Sequence, residues 1–198
     1  DIGANEGWYS DSVRKMGFKG EIILFEPLYE CKDIIENKIL KDGNMKFFPT
    51  AVGAISSNLE FNVIHAGGHK TLSSILKPKI SGDRIEKYNV PVERLDKILV
   101  DFQNKEQQKS NIFLKTDTQG YDLEVLKGAA GIMNNISGIQ MEISVDHIYD
   151  GTPHFTDIIN YCESLGFKLF RLNEVNRNKW GGILEYDCIM IKPDKLIK

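Results

Sequence analysis

Asp1-Ile2-Gly3-Ala4-Asn5-Glu6-Gly7 opens the chain, and Ile22-Ile23-Leu24-Phe25-Glu26-Pro27 follows one helix-length later; these two stretches decide the fold. Ile22–Phe25 is a continuous apolar run, as expected of a strand buried on both faces of a parallel sheet. Pro27 stops it. Gly3 and Gly7 permit a tight turn and the close approach of a ligand to the backbone. Trp8 to Met16 reads as a helix, so the free N–H groups of its first turn face whatever the loop holds. Such donors suit a carboxylate or a phosphate. Glu26 ends the next strand, nineteen residues after Gly7, where an acid can accept both hydroxyls of a ribose. Its plain alternative is a surface acid at a strand end.

Outward from there, strand-like and helix-like patterns alternate, which predicts an α/β fold with a mostly parallel sheet. Cys31, Ile34, Ile35 and Ile39 keep helical spacing until Gly43-Asn44 breaks it. Met45 to Thr50 reads as a third parallel strand running into Ala51-Val52-Gly53. Leu59 to Ile64 alternates as a strand, and His65 to Lys79 reads as a long loop. Val90-Pro91-Val92 is expected as a short edge strand, where proline is tolerated. Leu95 to Phe102 reads as a helix and Gln103 to Ser110 as a polar connector. Asn111 to Lys115 is a strand ending at Thr116-Asp117, followed by a helix to Gly128. Ile139 to Ile143 is the next strand, and it carries Glu142. Val145 to His154 is a second irregular loop. A helix from Phe155 to Leu165 precedes two strands, Phe167–Leu172 and Asp187–Ile191. With no helix between them, these two are expected to pair as an antiparallel hairpin. The two loops lie beside strand ends, where ligands bind in such sheets, and are expected to shape an acceptor pocket.

With 198 residues, the chain fits one domain over 1–198 with a full core. Hydrophobic residues make up 41% and charged residues 27%, ordinary for a globular protein. No stretch reaches the roughly 18–20 apolar residues of a membrane helix. Net charge is −3, which argues against nucleic acid as a partner, since such binding leans on a basic footprint. Cys31, Cys162 and Cys188 give no disulfide framework and no zinc pattern, and point to a reducing cytoplasm.

Seven short segments in order give the chain its likeness. They are Asp-Ile-Gly-Ala-Asn-Glu-Gly at 1–7, Phe-Glu-Pro at 25–27, Ala-Val-Gly at 51–53 and Val-Glu-Arg-Leu-Asp at 92–96. Leu-Lys-Thr-Asp-Thr-Gln-Gly-Tyr-Asp at 114–122, Val-Leu-Lys-Gly at 125–128 and Met-Glu-Ile at 141–143 complete the set. In these the chain resembles the FkbM-type methyltransferases over nearly its whole length. The resemblance implies a Rossmann-like class I fold, S-adenosylmethionine as cofactor, and methyl transfer to an oxygen of a sugar or small metabolite. It also implies an apolar strand upstream, ending at Asp1. By position, Asp1, Gly3, Asn5 and Gly7 would cradle the methionine end of the cofactor. Glu26 would hold the ribose, and Ala51 and Val52 would lie near the adenine. Asp117 would stand beside the sulfonium. Where the family usually shows Lys-Ile-Asp-Val-Glu-Gly-x-Glu, this chain has Gln119 and Asp122 in place of the two glutamates.

A hydroxyl acceptor must lose a proton, and Asp117 and Glu142 are the leading catalytic candidates, with His69 and His147 as alternatives. Asp117 could instead serve only as a helix cap. Asp117, Asp122 and Glu142 are oxygen donors, but their spacing has no compact ligand pattern, and no metal is assigned. Two other readings stand beside this one. The first is a nucleotide-binding Rossmann dehydrogenase, although the glycine spacing is not G-x-G-x-x-G and Asp1 would repel a pyrophosphate. The second is a binding module of the same fold without activity, which the Gln119 change keeps open.

Overall fold

The computed structural model describes residues 1–65, 71–79, 84–100 and 111–196. The order begins with α1 (Trp8–Lys15), β1 (Ile22–Phe25), α2 (Lys32–Asp42), β2 (Met45–Phe48) and β3 (Ala51–Val52). It continues with β4 (Ser57–His65), β5 (Arg84–Glu93), α3 (Leu95–Ile98), β6 (Ile112–Thr116) and α4 (Asp122–Gly128). It closes with β7 (Ile136–Ser144), α5 (Phe155–Ser164), β8 (Lys168–Arg177), β9 (Ile183–Ile191) and α6 (Pro193–Leu196). The fold is α/β.

β1 pairs β2 in parallel, and β6 pairs β7 in parallel, each through a helical crossover. β7 and β9 run antiparallel, as do β9 and β8. Ile2 joins these two groups by bridging in parallel to Phe25 on one side and Thr116 on the other. β3, β5 and β4 form a separate three-stranded sheet, with β3–β5 parallel and β4–β5 antiparallel. The sheets are therefore small and mixed, not one mostly parallel sheet. β4 and β5 are consecutive strands with no helix between them among the described residues, and such strands can pair antiparallel.

Two apolar cores fill the layers. One gathers Leu114, Ile139, Met141, Ile143, Cys188 and Met190 from the β6–β7–β9 sheet against Val125 and Leu126 of α4 and Ile158 and Cys162 of α5. The other packs Leu24 and Ile35 with Phe61, Val63, Val90 and Val92 of the second sheet. All three cysteines are buried, and none is in a disulfide. Among the described residues, no helix is long and apolar enough to cross a membrane.

Three expectations are revised. Val90-Pro91-Val92 is not a short edge strand but the end of the ten-residue β5, which lies between β3 and β4. Proline is tolerated because β3 pairs only with Val92 and Glu93, leaving the β3-facing side of β5 open at Pro91. The helix read over Leu95–Phe102 begins as the single turn α3, is interrupted at Leu99 and is helical again at Val100, and residues 101–102 lie outside the described residues. Met45–Thr50 is not one strand with Ala51–Val52: β2 ends at Phe48, before Pro49, and β3 belongs to the other sheet.

Candidate active site

A cavity of about 290 Å³ opens at the carboxyl ends of β1, β3 and β6. Gly3, Asn5, Glu26, Ala51, Val52 and Asp117 all line it, from four separate stretches of chain. The loop between Ile2 and α1 is held from both sides. Ile2 N donates to Lys115 O (2.9 Å), Asp117 N to Ile2 O (3.0 Å), and Gly3 N and Ala4 N to Phe25 O (both 3.0 Å). Gly3 has φ +72, and a Cβ there would lie 2.0 Å from the Asp117 carbonyl oxygen. Only glycine fits both restraints. Asn5 also takes a positive φ, 48°, which asparagine tolerates better than most residues.

Glu26 is 4% exposed. One carboxylate oxygen accepts from Asn5 N–H (2.7 Å) and the other from Leu28 N–H (2.9 Å). Burial pushes its pKa up to about 7, against the opposing pull of those two hydrogen bonds. Each oxygen keeps lone-pair capacity toward the cavity. Phe25, Pro27, Leu28 and Phe61 give the same region apolar walls.

At the opposite end, β6 brings Lys115 and Asp117 to one face by its two-residue period. Lys115 Nζ lies 3.3 Å from Asp1 Oδ1 and 3.5 Å from Asp117 Oδ2. Asp1 thus stands beside Lys115 and does not line the cavity. Gly7 does not line it either; it caps α1 with φ +80. Glu142 is likewise off the wall, but it joins the site through Gln119, whose amide nitrogen lies 2.9 Å from both Glu142 Oε2 and Asp117 Oδ1. The register of β7 with β9 sets Glu142 opposite Asp187, a cavity residue. Burial, then the acids Asp117, Glu185, Asp122 and Asp187, raise Glu142 well above the carboxylate range. Asp122, fully buried at the start of α4, is raised by burial to about 6.

Of the first loop, Thr71, Ser73 and Ile75 line the cavity. The second loop packs against it: Tyr149 OH donates to Leu72 O (2.7 Å), Lys79 N to Ile148 O (2.7 Å) and Asp150 N to Lys77 O (2.8 Å). His69 lies outside the described residues, and His147 is not on the cavity wall. Sequence reasoning passed over Lys115, Tyr149 and Asp187. The alternation of β6 would have indicated Lys115. Tyr149 and Asp187 meet the site only through tertiary register.

The profile of the family described as the methyltransferase FkbM domain matches residues 1–169. No curated protein sequence matches. The fold is similar to methyltransferase FkbM from Methylobacillus flagellatus KT, at TM-score 0.54 and 15% identity. That alignment covers 96% of this chain and 42% of the other, so this chain spans about two-fifths of the relative's length. A SAM-dependent methyltransferase from Aquifex aeolicus aligns at TM-score 0.45 and 16% identity, covering 96% of this chain and 80% of that one. LepI in complex with SAM aligns at TM-score 0.45 and 12% identity, over 97% and 42% of the respective chains.

Proposed function

We propose, from the premise that this chain belongs to the methyltransferase FkbM family, that it transfers a methyl group from S-adenosylmethionine to a hydroxyl oxygen of a sugar or small metabolite. The observation that carries this reading is the single cavity where the Gly3–Asn5 loop, Glu26, Ala51–Val52 and Asp117 converge. The fit to the cofactor is chemical. Glu26 offers two buried carboxylate oxygens to ribose hydroxyls. Ala51, Val52 and Phe61 give apolar surface for an adenine, and the loop backbone at Gly3 and Asn5 faces the methionine end. Asp1 and Gly7 support that loop from behind, and Lys115 stands on the cavity wall between Asp1 and Asp117.

When bound, S-adenosylmethionine supplies an electrophilic methyl on a sulfonium. The protein's part is to align an acceptor oxygen behind that methyl, and such alignment can be worth ~7–11 kcal/mol. Asp117, on the cavity wall, takes the acceptor's proton, a contribution of roughly 10²–10⁴-fold. Glu142 takes no part in that proton transfer, because its surroundings favour the protonated form, and is tied to Asp117 through Gln119. Thr71, Ser73 and Ile75 form the acceptor side. The chain acts as one catalytic domain, and a cytoplasmic setting suits its three cysteines, none of them in a disulfide.

Calorimetry with S-adenosylmethionine and with NAD tests the reading. The methyl donor binds and the dinucleotide does not. Binding of NAD without S-adenosylmethionine would replace this proposal with a dehydrogenase.

A further inference from the structure

Asp117 and Glu142 come from different strands and meet through one side chain. Each N–H of the Gln119 amide is directed at one carboxyl, with both N···O distances 2.9 Å. The amide is oriented from its other end. Tyr149 OH lies 3.0 Å from Gln119 Oε1 and 2.7 Å from Leu72 O, so one hydroxyl proton serves two acceptors. Turning the amide over would press Oε1 against Asp117 Oδ1. Tyr149 itself is 1% exposed, so the orienting group has no freedom to leave. Gln119 also holds a left-handed backbone, φ +52, which glycine would adopt without strain. The side chain is therefore retained against a backbone penalty, and Ser74 Oγ fixes that turn by donating to Gln119 O at 2.9 Å.

Hard divalent cations need oxygen ligands at about 2.0–2.6 Å. A cation bridging Asp117 Oδ1 and Glu142 Oε2 would have to stand where the amide nitrogen stands. Among the described residues, no three acidic, histidine or cysteine side chains converge as such an ion requires.

We propose that Gln119 is the positioning residue of this site: an uncharged bridge that holds the Asp117 and Glu142 carboxyls side by side and bars a divalent cation from the place between them. The acceptor hydroxyl is then held by hydrogen bonds and not by chelation. For that consequence the inference rests on the methyltransferase reading; the bridge itself does not.

The test uses the full chain as wild type, Gln119→Glu, Gln119→Leu and Tyr149→Phe, titrated with Mg²⁺ and Mn²⁺ by calorimetry and followed by melting temperature. Neither cation at millimolar concentration shifts the wild type. Gln119→Glu sets three carboxyls together. It melts lower in chelator, is rescued by Mn²⁺, and binds Mn²⁺ at least tenfold more tightly than wild type. Gln119→Leu melts lower and is rescued by neither cation, which separates the bridge from a loss of packing alone. Should Gln119→Glu not fold, Tyr149→Phe decides: with its amide no longer oriented, Mn²⁺ binding rises at least tenfold. Wild-type binding of Mn²⁺ as tight as that of Gln119→Glu, no rise in Tyr149→Phe, or a leucine variant that melts like wild type overturns the proposal. S-adenosylmethionine is titrated into the wild type alongside. Its failure to bind would refute the proposed function while leaving the cation comparison decisive for the bridge.

Discussion

Removing the Glu26 carboxylate tests the ribose site and the energetics of the cavity together. Glu26→Ala strips the acceptor from two N–H groups, Asn5 at 2.7 Å and Leu28 at 2.9 Å, around a residue only 4% exposed. Each orphaned donor costs about 1–3 kcal/mol, so the variant should lose roughly 2–6 kcal/mol of stability. It should also bind S-adenosylmethionine at least tenfold more weakly, about 1.4 kcal/mol. Glu26→Gln keeps the volume and isolates the charge. Burial raises the Glu26 pKa from 4.5 to about 7, so the folded protein favours the protonated acid. Wild-type stability relative to Glu26→Gln should be highest below pH 4.5. It should fall as pH rises through the window up to about 7 and stay low above it. The size of that fall is roughly 3 kcal/mol at about 1.4 kcal/mol per unit. Urea unfolding of both proteins without cofactor at pH 4.5, 6 and 8 measures it. A constant difference between the two across that range, or cofactor affinity in Glu26→Ala within twofold of wild type, would refute the reasoning.

Asp117→Asn should cut methyl transfer by roughly 100-fold while S-adenosylmethionine affinity and melting temperature change little; turnover within a few-fold of wild type would reduce Asp117 to a structural partner of Lys115 and Gln119, since α4 begins only at Asp122. Gly3→Ala forces a Cβ to 2.0 Å from the Asp117 carbonyl at φ +72. It should cost about 3 kcal/mol or more, read by denaturant midpoint, and an unchanged midpoint would show that the loop is less tightly held than its hydrogen bonds indicate. With a net charge of −3, the chain should not be retained on heparin or DNA at physiological salt, and tight salt-dependent retention would contradict a small-molecule acceptor.

The parts legible in the sequence are those set by short-range pattern. Ile22–Phe25 reads as a buried strand because four apolar residues in a row have few other uses, and its end fixes Glu26. β5 was foreshortened because Arg84 to Asn89 carries charges on an open-sided strand, so no apolar alternation marks its start. Asp117 was legible from its place after an apolar strand. The role of Gln119 was not, because it depends on Glu142, twenty-three residues on, and Tyr149, thirty residues on. Neither the register of β7 nor the docking of the second loop on the first can be derived from local spacing.

The double anchorage of Ile2 to β1 and β6 has a kinetic consequence. Residues 1–4 hold their backbone through bonds to Phe25, Lys115 and Asp117, so the floor of the cavity is preorganised. Binding there surrenders little chain entropy, and encounter need not wait for a floor to assemble. The wall formed by Thr71, Ser73 and Ile75 is held differently. Its bonds run from Ile64 N to Ser73 Oγ (3.1 Å), from Ser74 Oγ to Gln119 O (2.9 Å) and from Tyr149 OH to Leu72 O (2.7 Å), with one isolated bridge between Asn62 and Ser74. The floor therefore rests on backbone bonds that few substitutions can remove, whereas this wall rests on Ser73, Ser74 and Tyr149, side chains that can change while the floor stays as it is.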